Sequence, residues 1–136
     1  MSKSLFPFIH KLRVRYYEVD SQGVVFNANY LNYFDTALNE VLRELSYNYL
    51  EETNKTGNEF MVKKANLDYL YPARFDDVLE ISIQPYLVKA ASILWVIEVK
   101  IEDTDQLICK GELTWVFINM KTRKPVKLPE TFLNLS

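Results

Sequence analysis

Asp20 stands a short loop ahead of a segment with helical spacing, and that placement is where this chain could do chemistry. Backbone N–H groups in a helix's first turn have no partner inside the helix and lie at the positive end of its dipole. They can hold the oxyanion that forms when a carbonyl carbon is attacked. A carboxylate beside them can attack directly or take a proton from water. The loop after Asp20 contains Gly23, and Asn27 falls at or near the helix start. Aspartate is also an ordinary turn residue. On residue chemistry alone, the turn reading is the more economical one.

Other chemistries fall away by composition. His10 is the only histidine, so a two-histidine metal motif is impossible and a Ser-His-Asp triad would have to use it. It sits in the N-terminal leader and reads as a surface or packing residue. Cys109 is the only cysteine, which excludes an internal disulfide. Its parity with Leu107 and Leu113 marks a small buried residue rather than a nucleophile. Three glycines leave little room for a phosphate-cradling loop or a dinucleotide fingerprint, and there is no nucleophile elbow. Asp76-Asp77 and Asp103/Asp105 read as solvated turn carboxylates, so neither a metal nor a redox cofactor is expected.

The elements that would position Asp20 follow from periodicity. Leu12, Val14 and Tyr16 alternate with Arg13, Arg15 and Tyr17, the period of a half-buried strand. Asp20-Ser21-Gln22-Gly23 breaks that run. Tyr30, Phe34, Ala37, Leu38, Val41 and Leu45 then recur at three and four, an amphipathic helix with Asn27 or Asn29 as its expected N-cap. Four strands are expected beyond Gly57: Ala65 to Tyr71, Leu79 to Ile83, Trp95 to Ile101, and a last one carrying Leu113, Trp115 and Phe117. Asp103-Thr104-Asp105-Gln106 forms the hairpin turn before the last. Short connections require antiparallel strands. The expected fold is therefore α+β, one domain over residues 1–136, with a helix on an antiparallel sheet.

Composition bounds the partners. A formal net charge of -2 argues against a protein that coats nucleic acid or anionic lipid. No stretch reaches the ~18 consecutive apolar residues of a membrane span, and Met1 to Pro7 is too short in apolar residues for a signal peptide. A cytoplasmic protein is the simplest reading. Leu94 and Val96 oppose the Trp95 parity, and Val116 and Ile118 oppose that of Trp115, so both sheet faces are apolar at the centre. One helix covers one face; the other is expected to meet a second subunit.

The block Tyr16-Tyr17-Glu18-Val19-Asp20-Ser21-Gln22-Gly23-Val24-Val25-Phe26-Asn27-Ala28-Asn29-Tyr30 resembles the signature of the 4-hydroxybenzoyl-CoA thioesterase family. The resemblance continues through Leu31-Asn32-Tyr33-Phe34 and returns at Tyr71-Pro72-Ala73-Arg74-Phe75-Asp76-Asp77. It implies a hot-dog fold, one long helix wrapped by a curved five-stranded antiparallel sheet. It also implies hydrolysis of acyl-CoA thioesters at sites shared across a homodimer interface, with further assembly into a homotetramer in many members.

Carried over residue by residue, the resemblance places the catalytic aspartate on Asp20 and the amide that polarises the thioester carbonyl on Asn27. Tyr16 matches a tyrosine common in a bacterial branch associated with envelope-maintenance operons, and Gly23 and Val24 fall in the loop that meets substrate. That branch usually has His at the position of Asn27; another branch carries Asn there, and a backbone donor survives the exchange. A thioester suits such sparse machinery, because its thiolate leaves with little protonation. CoA phosphates need cations, for which Lys89, Arg123 and Lys124 are the candidates. Two alternatives stand beside hydrolysis: an acyl-CoA binding or sensing protein, and a hydratase or dehydratase, for which His10 is poorly placed.

Overall fold

The computed structural model describes residues 5–135. Residues 1–4 and 136, which include most of the Met1–Pro7 leader and both ends of the expected domain, lie outside them. The helix with the strongest apolar stripe forms as α1 (Asn29–Glu44). Tyr30, Tyr33, Phe34, Ala37, Leu38, Val41 and Leu42 are all buried along it, the three-and-four spacing of one helix face. That face packs on a five-stranded antiparallel sheet: β1 (Phe8–Arg13), β2 (Asn58–Tyr69), β3 (Val78–Val88), β4 (Ser92–Ile101) and β5 (Leu107–Asn119). Ile81, Ile83, Ile93, Trp95, Ile97, Val99 and Leu113 supply the sheet's half of the core, each at most 1% exposed.

The spatial order is β1-β3-β4-β5-β2. β3, β4 and β5 are neighbours joined by turns, as their period-two runs require. β2 is not beside β3; it lies at the opposite edge against β5, and residues 70–77 carry the chain across to β3. Further differences from the sequence expectation appear along the chain. β1 stops at Arg13, and Tyr16–Glu18 forms a 3-10 turn, so Tyr16 is not a strand residue. His10 lies in β1 opposite Ile81, not in an irregular leader. A second helix, α2 (Tyr49–Thr56), follows α1; Asn48 caps it by accepting from the Glu51 amide, and Gly57 ends it at φ 77°. A short α3 (Glu130–Leu133) buries Phe132 at the C-terminal end.

On the second sheet face, Leu94, Val96 and Val116 are half-buried, whereas Ile118 is only 7% exposed within this chain, beside its bridge to Pro125. Ile118 therefore needs no second subunit to cover it.

Helix and sheet pack closely at Gly111. A Cβ added there would lie 2.6 Å from Cζ of the fully buried Phe34 ring, inside any normal contact. Gly111→Ala is expected to cost about 1–3 kcal/mol by overpacking and to lower Tm by roughly 3–12 °C in thermal unfolding. An unchanged Tm would mean that α1 can shift freely over the sheet.

Candidate active site

The segment between β1 and α1 is a tight, pinned loop. Val19 bridges Val25, the Asp20 amide donates to the Val24 carbonyl at 2.8 Å, and the Gly23 amide returns to the Asp20 carbonyl at 2.9 Å. Gly23 adopts φ 78°, a conformation that any side chain would strain. The hairpin is tied to the chain ahead of β3 by the Val24–Arg74 bridge and by the Val25 amide donating to the Ala73 carbonyl at 2.8 Å. At its tip Asp20 is half-buried, and its Oδ1 accepts from the Gln22 amide at 2.8 Å. This turn bond engages one carboxylate oxygen, and among the described residues no group donates to Oδ2.

The helix start differs from the sequence expectation. The N-cap is Ala28, with no side-chain cap; neither Asn27 nor Asn29 caps α1. The Asn29 amide side chain is drawn away, donating from Nδ2 to the Glu18 carbonyl at 2.8 Å. The Asn27 carbonyl accepts from the Tyr30 amide and from the Tyr69 hydroxyl, each at 3.3 Å. Among the described residues no group accepts from the amide of Asn27, an exposed residue just ahead of the Ala28 cap, beside the positive end of α1. The hairpin that carries the Asp20 carboxylate thus runs directly through Phe26 and Asn27 into the Ala28 cap of α1.

Exposed aromatic side chains occur on the same segments. Tyr16 is 78% exposed and meets Phe75 edge-on at 5.8 Å, and Phe26 and Tyr69 are each about half exposed. Tyr69, at the end of β2, reaches the Asn27 carbonyl and meets the Tyr30 ring of α1 at 5.7 Å, a link that sequence reading missed because periodicity carries no information on partners so far apart in the chain. Val24 is half-buried within the hairpin. Cys109 is buried, and burial pushes its thiol up to about 12, an inert state at neutral pH. No group of three or more metal-ligating side chains occurs among the described residues, and no described helix is long and apolar enough to cross a membrane.

One protomer does not bring the cationic candidates to Asp20. The Asp20 hairpin is tied to Ala73–Arg74, just ahead of β3, and the Val14 amide donates to Asp77 at β3's start. Lys89 follows β3's last residue, in the hairpin to β4. Eleven strand residues separate those ends, roughly 35 Å at ~3.3 Å per residue. Arg123 and Lys124 lie in the turn after β5, at the same far end, where the Asn119 amide donates to Lys124 and the Asn119 side chain to Asn58 of β2.

The model of the thioesterase-like superfamily matches residues 14–135. The acyl-CoA thioesterase YbgC of Haemophilus influenzae is 30% identical over 123 residues, covering 90% of this chain and 89% of that protein. Among solved structures, a 1,4-dihydroxy-2-naphthoyl-CoA thioesterase from Synechocystis superposes with a TM-score of 0.89 at 20% identity, covering 94% and 93% of the two chains. A Staphylococcus aureus protein solved in complex with CoA superposes with a TM-score of 0.86 at 21% identity, covering 94% and 80%. The chain belongs to the thioesterase-like superfamily and has the hot-dog fold. By class it is a thioester hydrolase.

Proposed function

We propose that this protein hydrolyses an acyl-CoA thioester to a free carboxylic acid and CoA, with Asp20 as the reacting carboxylate and the Asn27 amide as the oxyanion donor. The observation that supports this reading is that the pinned Asp20 hairpin leads directly into the start of α1, where no described group accepts from the Asn27 amide. The class of the relatives supports the substrate: one is named an acyl-CoA thioesterase and a structural neighbour is held with CoA.

Two routes use the same groups. As general base, Asp20 takes a proton from water and the hydroxide attacks the thioester carbon. As nucleophile, it attacks that carbon itself and water then hydrolyses the resulting anhydride. In both, the carbonyl oxygen becomes an oxyanion held at Asn27, the C–S bond breaks, and the thiolate leaves with its electron pair. No metal or redox cofactor is required. Gly23 and Val24 shape the loop against the substrate, and Tyr16 stands exposed at its edge.

A second copy completes the site in this reading. β2 is an edge strand whose central residues, Val62 to Asn66, are all exposed, and an unpaired edge is a template for another strand. Antiparallel pairing of two β2 strands about a two-fold axis directs the Tyr69 end of one along the Asn58 end of the other. Tyr69 touches Asn27 of the candidate site, while Asn58 touches the Asn119–Lys124 turn. Such pairing would carry Arg123 and Lys124 toward the partner's Asp20, with Lys89 in the hairpin beyond. Homodimer, or homotetramer through the second sheet face, is the working unit proposed.

Asn27 separates backbone from side-chain chemistry. Asn27→Ala keeps the amide, and the side chain makes no cap, so turnover within about 3-fold of wild type and little change in Tm are expected from steady-state thiol release and thermal unfolding. Loss of turnover in the folded variant would mean that the side chain itself takes part.

A further inference from the structure

Glu18 is the one buried charged residue among the described residues, at 9% exposure, and the reaction above leaves it unused. A carboxylate taken out of water is costly unless its oxygens are hydrogen-bonded. Here Oε1 accepts from the Arg15 amide at 2.8 Å and from the Tyr33 hydroxyl at 3.0 Å, and Oε2 lies 3.4 Å from Arg15 Nη1. Tyr33 is itself buried on α1. Burial, and then its bond to Glu18, holds its phenol far above the usual range, so it remains a donor.

The main chain of the same residue is equally engaged. The Glu18 carbonyl accepts from the Phe26 amide at 3.0 Å and from Asn29 Nδ2 at 2.8 Å. Glu18 stands two residues before Asp20, and Phe26 one before Asn27. Asn29 opens α1, and Tyr33 lies one turn further along. One residue therefore ties together the chain entering the Asp20 hairpin, the chain leaving it, and the first two turns of the helix.

We propose that Glu18 is a positioning residue for hydrolysis, holding the Asp20 hairpin against the start of α1 so that the carboxylate and the Asn27 amide keep a productive separation. This rests on the reading of Asp20 and Asn27 given above. Its charge is not the working feature. The two close donors converge on one oxygen, which the amide of a glutamine reproduces, and the charged contact to Arg15 is the longest of the three. Misplacement of reacting groups by about 1 Å can lower a rate by ~10²-fold without removing any of them.

Steady-state acyl-CoA hydrolysis and thermal unfolding of Glu18→Gln, Glu18→Ala and Tyr33→Phe, with Asp20→Asn alongside, test this. Glu18→Gln is expected to keep kcat within about 3-fold, Glu18→Ala to lose about 30–100-fold, and Tyr33→Phe about 3–10-fold, all with little change in KM. Equal losses in Glu18→Gln and Glu18→Ala would overturn the proposal by showing that the carboxylate itself reacts. Wild-type kcat in Glu18→Ala or Tyr33→Phe, whatever the change in Tm, would overturn it as well. Tyr33→Phe removes a single bond and keeps the test decisive if Glu18→Ala fails to fold. Asp20→Asn separates the two readings: wild-type rates there would remove the site assignment itself. Loss there with kcat retained in the Glu18 and Tyr33 variants would remove positioning alone.

Discussion

Asp20→Asn is expected to lower kcat by at least about 10²-fold, the lower end of the range for positioned acid-base groups. Substitution is nearly isosteric, and an amide oxygen at the same place still accepts from the Gln22 amide, which closes the turn at 2.8 Å. The hairpin is also held by main-chain bonds that the side chain does not make: Asp20 to Val24, Gly23 to Asp20 and Val25 to Ala73. Tm should therefore change little while the negative charge and the nucleophilic oxygen are lost. KM should be kept, because the loss falls on the transition state rather than on substrate binding. Steady-state thiol release and thermal unfolding on one preparation check this. Wild-type turnover in the variant would move the reacting carboxylate elsewhere.

Mixing two crippled proteins is expected to restore activity. Asp20→Asn lacks the reacting group. Arg123→Ala/Lys124→Ala lacks the cations proposed for the CoA phosphates, and its KM should rise by about 10-fold or more with kcat largely kept, as when charge-assisted bonds made equally in both states are removed. If the cations act across the β2 edge, a mixed dimer contains one intact site: Asp20 from one protomer, Arg123 and Lys124 from its partner. Random pairing of equal amounts would place roughly a quarter of all sites in the wild-type arrangement. At substrate concentrations well below the raised KM, the mixture should run well above the sum of its components after subunit exchange. Light scattering should show at least a dimer throughout. Activity equal to that sum, or a fully active monomer, would remove the shared site. Lys89→Ala belongs in the same series, with a smaller rise in KM expected from its place one hairpin further on.

What could be read from the sequence depended on whether an element has one wet face. α1 and the runs at Leu79–Ile83, Trp95–Ile101 and Leu113–Phe117 each bury one side, so their periods are clean and the structure keeps them. β2 is an edge strand with both faces largely open through Val62–Asn66, and the bulge between Val62 and Lys64 breaks what alternation remains. Its first half was therefore invisible. α2 buries no residue, so no stripe announces it; only the Asn48 cap and the Gly57 stop carry the information. Asn27 and Asn29 were good N-cap residues by type, but the Glu18 carbonyl takes the Asn29 side chain. Glu18 carries no signal of its own in the sequence; its burial depends on Tyr33, fifteen residues on, whose hydroxyl donates to it.

The site divides along the same line. Asp20, Gly23 and Asn27 lie within eight residues, so local order is enough to place them near one another; the turn forms as expected, and α1 starts beyond it with Ala28 rather than Asn27 or Asn29 as its cap. Lys89, Arg123 and Lys124 are distant in sequence, and only sheet order could reveal that they gather at the end opposite Asp20. That geometry is what makes a second copy necessary in the proposed function.

The most direct test of acyl-CoA hydrolysis is thiol release by the unmodified protein across short, long and aromatic acyl-CoAs, followed to many equivalents of CoA per subunit. The account predicts sustained multiple turnover on at least one of them, with equimolar free acid, unaffected by a metal chelator. Tight, saturable binding of acyl-CoA with no release of thiol would contradict it and make the protein a binding or sensing member of the superfamily.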